Sequence, residues 1–584
     1  MSAADLFQFG LLIAVLLVIV PLLGGYMARV FTGERVVLSR VLGPVERLTY
    51  RAMRTAPGRE QNWKQYARSV ILFSIASWLA LYALLRLQGL LPLNPEGFEA
   101  PPWDLTFNTV SSFVTNTNWQ YYGGETTMSY FSQMAGLAVQ NFVSAAVGIA
   151  VVIAVIRGIA RRSGDTLGNF WQDLTRATLY LLLPIAFIAA LVLVSQGVIQ
   201  SFSGYSDVTG LAGSVQHFAF GPVASQEAIK ELGTNGGGFF NVNSAMPFEN
   251  PTGLTNFLEI LLVLSIPASL TYTFGRLVGN RRQGWALLAA MGILFIGAVA
   301  VVYTAESQPT PAMSAAGLSG ESQPGSSGGN MLDKEQRFGI GGSSLFNAVT
   351  TVTSCGAVNS ALASFSGVGA TVPMASMGTS EVIFGGVGSG LYGMLLFVIL
   401  AVFIGGLMVG RTPEYLGKKI EAREIKLATL GALYMPLAVL ASTALAAGTK
   451  YGEPSLSSDG PQGFSETLYA YLSQGNNNGS GFAGYTGFVQ PQPGNAGSFG
   501  ITFADLLGGA SMIFVRFIPI LLVLALAGSL AQKKVAPAGL GTLRTDSATF
   551  VVLLIGIVVL VGALTFFPAL LLGPLAEGLT DQLF

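Results

Sequence analysis

Histidine and cysteine are almost missing from this 584-residue sequence, which holds one of each, His217 and Cys355. A single cysteine excludes an internal disulfide framework, and a single histidine leaves little for a histidine-based metal site. Charge is scarce as well. Only 10% of the residues are Asp, Glu, Lys or Arg, against about 25% in soluble domains. Thirty basic residues balance thirty acidic ones, so nothing in the charge argues for a nucleic-acid partner. General acid–base or metal chemistry needs converging carboxylates, imidazoles or thiols, and intramembrane acids such as Glu259 and Asp505 are few. Neither a G-x-x-x-x-G-K-[ST] phosphate loop nor a "DKTGT" run occurs. A membrane-embedded enzyme is therefore the weaker reading, and no nucleotide site is expected on this chain.

What the sequence has instead is apolar length, 51% hydrophobic residues. About 20 such residues cross a bilayer as a helix. Spans are predicted near 6–28, 69–91, 132–156, 174–196, 254–275, 284–304, 384–410, 427–447, 502–531 and 547–575, ten in all. The first starts at Asp5 rather than in a basic region and is long, so it reads as a retained helix and not a signal peptide. Every second loop is basic, from Arg29–Arg68 through Arg157–Arg162, Arg276–Arg282 and Arg411–Lys426 to Lys533–Lys534. The positive-inside rule places those loops in the cytoplasm and both termini outside.

The long outside connections each carry a short, partly apolar stretch and then an abrupt polar run: "TNTNWQYY" from Thr115, "TNGGGFF" from Thr234, "TSCGAVN" from Thr353 and "NNNGSGF" from Asn476. With Asn118, Gly236, Gly356 and Gly479 as equivalents, the spacings are 118, 120 and 123 residues, an internal repeat of helix, insertion and helix. "FNTV" at Phe107 recurs as "FNAV" at Phe346, and aligning those pairs makes Thr117 the equivalent of Gly356, so two registers fit the first copy. An aromatic residue follows the key position by three in three copies (Tyr121, Phe239, Phe482), whereas the third has Asn359.

All four units start in the cytoplasm and share one sense, which a pseudo-fourfold ring satisfies most simply. The expected fold is all-α and polytopic: units at 69–157, 174–276, 284–410 and 427–531, with one extra helix at each end, 1–30 and 547–584. Irregular backbone at membrane depth is tolerated only where it is buried or lines a watery path. Four such stretches on one axis can turn carbonyl oxygens toward a dehydrated cation. The segments 104–114, 225–232, 344–352 and 464–474 are then pore helices whose C-terminal ends favour a cation.

At these residues, and at "NSAMPFENPTGLTN" (Asn243–Asn256), "NMLDKEQRFGI" (Asn330–Ile340) and "GRTPEYLGKK" (Gly410–Lys419), the sequence resembles the KdpA family over essentially its whole length. Met246 is a departure, standing where histidine is expected. The resemblance implies the potassium-binding, channel-like subunit of a bacterial potassium-transporting ATPase in the cell membrane. It implies that a separate P-type subunit hydrolyses ATP, that small accessory subunits attend it, and that potassium passes sideways through a tunnel to the pump. It assigns the potassium ligands to backbone groups of Asn116, Thr117 and Asn118; Thr234, Asn235 and Gly236; Ser354, Cys355 and Gly356; and Asn477, Asn478 and Gly479. A stand-alone potassium channel or cation symporter of the same four-repeat superfamily fits the polar runs equally, but not the two end helices or "GRTPEYLGKK".

Other polar residues carry two readings each. Arg516, inside the last unit, is a positive barrier below the filter or a structural partner of Asp505. Glu381, before "FGGVGSG" with its Gly386 and Gly388, is a gate or tunnel residue on a broken helix, or a flexible cap. Gln120 is a tunnel-lining amide or a plain loop residue. Arg411, Lys418 and Lys419 form a docking surface for the pump or a solvated cytoplasmic face.

Overall fold

The computed structural model describes residues 3–318, 320–321, 328–408, 410–487, 499–536 and 542–579. Residues 1–2, 319, 322–327, 409, 488–498, 537–541 and 580–584, which fall within or between the expected units, lie outside the described residues.

Ten helices among the described residues are long and apolar enough to cross a membrane. Each matches a predicted span. The two end helices are Ala3–Thr32 and Ala548–Leu572. The first helices of the four units are Trp63–Arg86, Phe170–Ser195, Arg281–Glu306 and Ala422–Ala447, and the second helices are Ser132–Ala160, Gly253–Leu277, Ser389–Met408 and Phe499–Gln532. Burial sorts them. The central stretches of the second helices are between 56% and 83% buried, those of the first helices between 28% and 39%, and those of the end helices 17% and 33%. Helices apolar all round differ little in composition, so what they pack against decides their place. Four second helices form the inner wall, and the other six face outward.

Small residues let the inner wall close. Gly158 abuts the Ala527 carbonyl across the first and fourth units, leaving no space for a Cβ, and Gly148 abuts the Val387 carbonyl of the third. Close approach of this kind is the usual means of packing helices in a membrane, where apolar burial alone gives no drive. The N-terminal helix lies on the second unit, where Thr273 Oγ1 donates to the Gly24 carbonyl at 3.0 Å. The C-terminal helix lies on the third, with Phe566 against Gly378 and Leu553 against Gly405.

Among the described residues, three two-stranded antiparallel pairs interrupt the all-α plan: Gln61–Asn62 with Thr166–Gly168, Ser206–Thr209 with Val215–Phe218, and Glu414–Tyr415 with Lys418–Lys419. His217 sits exposed on the second pair beside Asp207, away from the polar runs.

Candidate functional site

Between the helices of each unit a short helix dips into the molecule: Trp103–Val114, Val223–Leu232, Gly339–Val352 and Gly460–Asn476. In three units this pore helix stops because the chain turns left-handed just beyond its end, at Asn116 (φ 67), Thr234 (φ 48) and Asn477 (φ 58). Asparagine is among the few residues that take this conformation readily. The third unit differs. Thr353 is extended (φ −114), and the N–H of Gly385, from a distant loop, donates to the free carbonyl of Val352 at 2.9 Å.

Two residues further on in those three units, and three after Thr353 in the third, the backbone is left-handed at Asn118 (φ 56), Gly236 (φ 87), Gly479 (φ 100) and Gly356 (φ 88). A side chain on Gly236 would strike the carbonyl oxygen of Cys355; one on Gly356, that of Asn478; one on Gly479, that of Thr117. Each of these three glycines thus faces the carbonyl one place before the key residue of the next unit, and Gly237 packs on Asn118 between the first and second units. This closes a ring in the order one, two, three, four and settles the register of the first copy on Asn118. Six residues before each key position stand Ser112, Lys230, Thr350 and Ser473, and each accepts a hydrogen bond from the key N–H. Thr350 and Ser473 use their hydroxyls, both at 3.0 Å; Ser112 and Lys230 use their carbonyls, both at 3.3 Å.

The asparagines fasten the seams. Asn116 Nδ2 donates to the Thr234 carbonyl at 2.9 Å, Asn477 Nδ2 to Thr117 Oγ1 at 2.9 Å, and Asn478 Nδ2 to the Thr350 and Thr353 carbonyls at 2.8 and 3.0 Å. Between the second and third units the Cys355 thiol donates to Glu231 at 3.4 Å. Amide side chains here satisfy backbone groups that water cannot reach, which a buried irregular segment requires. Asn118, Gly236, Gly356 and Gly479 all border one outward cavity of about 970 Å³, which Met246 and Gln120 also line.

On the other side of the ring lies the break between Gly367–Gly378 and Ser389–Met408. Residues 379–388 cross beneath the polar runs, with left-handed backbone at Ser380, Glu381, Gly385 and Gly388. Val387 N–H donates to Thr234 Oγ1 at 3.0 Å, Gly386 packs on the Ser354 side chain, and Gly388 abuts the Gly148 carbonyl. Glu381, 2% exposed, accepts from the Ser354 hydroxyl and from Asn478 Nδ2, the latter at 2.8 Å. Arg516 is buried, with its guanidinium against Gly148. One segment therefore touches the second, third and fourth polar runs and the inner helix of the first unit.

Three expectations change. Lys418 is buried, and its ammonium donates to the carbonyls of Gly158, Arg161 and Leu530 at 3.0, 2.5 and 2.6 Å. It clamps helix ends instead of facing a partner, while Arg411 and Lys419 are exposed. Among the described residues no ion pair joins Arg516 to Asp505; the Asp505 carbonyl accepts from Asn108 and its Oδ1 has no partner. Gln120 lines the cavity, its amide paired both ways with the Gly238 backbone at 3.1 and 3.2 Å, so it clips a seam on the side of the ring away from residues 379–388.

Comparison with known proteins agrees with this architecture. A "Potassium-transporting ATPase potassium-binding subunit" from Sorangium cellulosum is 54% identical over 588 residues, covering 99% of each chain. Another of that name from Methylobacterium nodulans is 55% identical over 566 residues, covering 97% of this chain and 96% of the other. Among solved structures, the potassium transporter TrkH from Vibrio parahaemolyticus shares the fold with a TM-score of 0.50 at 13% identity, covering 77% of this chain and 84% of that one. The family model described as "Potassium-transporting ATPase A subunit" matches residues 10–579, and the chain belongs to this KdpA family.

Proposed function

We propose that this chain is the potassium-binding subunit of an ATP-driven uptake complex. It captures potassium from outside the cell in the ring formed by Asn116–Asn118, Thr234–Gly236, Ser354–Gly356 and Asn477–Gly479, and delivers it sideways to a separate P-type ATPase subunit. Small accessory membrane subunits complete the complex, and both termini face outward. The observation that carries this reading is the ring of four left-handed key positions, the three glycines each packed on a neighbour's carbonyl and all four opening on one cavity. Backbone carbonyls replacing a hydration shell are how potassium filters select. The pore helices end at this ring, and their C-terminal dipoles favour a cation.

A pump subunit must not leak, because an open selective pore would run potassium down its gradient. The segment 379–388 meets that need by lying across the axial route, with Glu381 as a lining carboxylate and Arg516 as the positive barrier below. Arg411 and Lys419 remain as exposed cytoplasmic contacts for the pump.

The test is reconstitution. The chain alone in liposomes binds potassium and passes no sustained current, and adding the ATPase subunit with ATP gives uptake and potassium-stimulated hydrolysis. Large, potassium-selective currents from the isolated chain would overturn this reading in favour of a stand-alone channel.

A further inference from the structure

Behind the second polar run lies a knot of charge that the ring does not use. Glu227 and Glu231 on the pore helix, Glu249 after it, and Glu259 on the second helix of that unit are 0–1% exposed, as is Lys230 among them. The lysine is fully engaged: its Nζ stands 2.7 Å from Glu227 Oε2, 2.7 Å from Glu249 Oε2 and 3.1 Å from Asn243 Oδ1. It hydrogen-bonds to Glu249 and Asn243 and pairs with Glu227 by charge.

Two carboxylates are left over. Glu231 Oε1 is 3.8 Å from the ammonium and makes no hydrogen bond, and Glu231 Oε2 has only the Cys355 thiol. Glu259 is starker, because it is wholly buried and neither of its carboxylate oxygens has a well-formed hydrogen bond; the neighbouring Ser244 hydroxyl donates to Glu227 at 3.1 Å. The nearby Arg337 is committed to the Ala245 and Asn250 carbonyls and to Glu335. Yet Glu227, Glu231 and Glu259 bring one oxygen each within 4.8 Å of one another.

Four carboxylates around one ammonium leave three negative charges uncompensated if all are ionised. Buried charge without a partner costs far more than burying a neutral polar group. A cation among the three oxygens lowers that cost, a divalent ion offsetting two of the three charges where a monovalent one offsets one. Carboxylate-only oxygen ligation suits hard cations such as Mg²⁺, Ca²⁺ and Mn²⁺.

We propose that Glu227, Glu231 and Glu259 form a binding site for one hard divalent cation, separate from the potassium path. The ion holds the second pore helix to the second inner helix. It also braces the ring, since Asn243 links Lys230 to the Gly236 carbonyl, to which its Nδ2 donates at 2.7 Å.

The experiment is elemental analysis of the purified complex after exhaustive dialysis in metal-free buffer, followed by separate reloading with Mg²⁺, Ca²⁺ and Mn²⁺. The expected result is about one divalent ion per complex, lost in Glu259→Gln and in Glu231→Gln, with loss of the chelator-induced drop in unfolding temperature seen in the wild type. Potassium binding is measured in parallel, so that a failure of the ring is seen separately. Three results overturn the proposal: no divalent ion retained or taken up, equal metal content in the Glu231→Gln/Glu259→Gln double variant, or a Glu259→Gln protein that is simply more stable at every metal concentration. The last means that the carboxyls hold protons instead of a metal.

Discussion

Placing one methyl group in the ring tests its geometry directly. Gly479 is left-handed at φ 100, beyond the region that asparagine shares, and its missing Cβ would overlap the Thr117 carbonyl oxygen. A left-handed L-residue costs about 1–2 kcal/mol, and one extra carbon forced into a packed site about 1–3 kcal/mol. The Thr117 carbonyl is the softest neighbour, so Gly479→Ala relaxes by turning that oxygen away from the axis. If about 3 kcal/mol of this strain falls on the ion-bound state, potassium affinity drops roughly 100-fold, at 1.4 kcal/mol per factor of ten. Asparagine at the same position gives no rescue, because the overlap remains. The assay is potassium-dependent ATPase activity of the intact complex across a potassium titration, with rubidium, ammonium and sodium as competitors. Gly556→Ala in the C-terminal helix, where a Cβ meets nothing within 4 Å, is the control and keeps wild-type affinity. A folded Gly479→Ala complex that binds potassium within twofold of wild type, with unchanged selectivity, refutes the ring of packed carbonyls.

The remaining predictions concern neighbouring parts. Cys355→Ser retains most transport, because the hydroxyl still donates to Glu231 and the carbonyl is unchanged; complete loss of potassium binding in a folded complex would give the thiol a role of its own. Deleting Gly386–Gly388 opens the axial route, and the chain alone then leaks potassium in liposome flux assays without ATP; a tight chain would place the block elsewhere. At the end of the molecule that carries the basic loops, the Arg161 guanidinium and Thr166 hydroxyl hold Glu60 well below its usual range, at about 2. A carboxyl with a lowered folded-state pKa stabilises above its unfolded value of 4.5 and loses that contribution as pH falls through about 2. Glu60 is half exposed, so solvent screening holds the effect under about 1 kcal/mol. Glu60→Gln therefore lowers the melting temperature slightly at pH 7, and the difference from wild type narrows as the pH is lowered toward 2.

Much of this was legible in the sequence because membrane folding obeys a few strong rules. Apolar length marked the ten spans, and glycine and asparagine between them marked the irregular backbone that only a buried path tolerates. The glycines at 385, 386 and 388 likewise announced the broken helix. Side-chain destinations were harder to read. Lys418 sits in a basic run that looks solvated, and only the hairpin turn at Leu416 and Gly417 tucks it under two helix ends. Arg516 and Asp505 share a helix, but eleven residues hold them about 16 Å apart at 1.5 Å per residue, so no pair forms. The carboxylate knot was invisible as a unit because its members come from three separate segments, and each looks ordinary where it stands.

The ring is one covalent chain, and this changes what mutation can do to it. In a channel of four identical subunits every substitution is made four times at once, so any residue unbearable in quadruplicate is forbidden. Here each quadrant is edited alone. The place held by Ser112, Thr350 and Ser473 in three units is held by Lys230 in the second, a buried ammonium whose fourfold repetition around a cation path would repel the cargo. A single copy, neutralised by its own glutamates, is admissible. Such a ring can acquire a charge, a thiol or a tether in one wall while the other three keep their packing, and that freedom is what the proposed sideways exit of the ion needs.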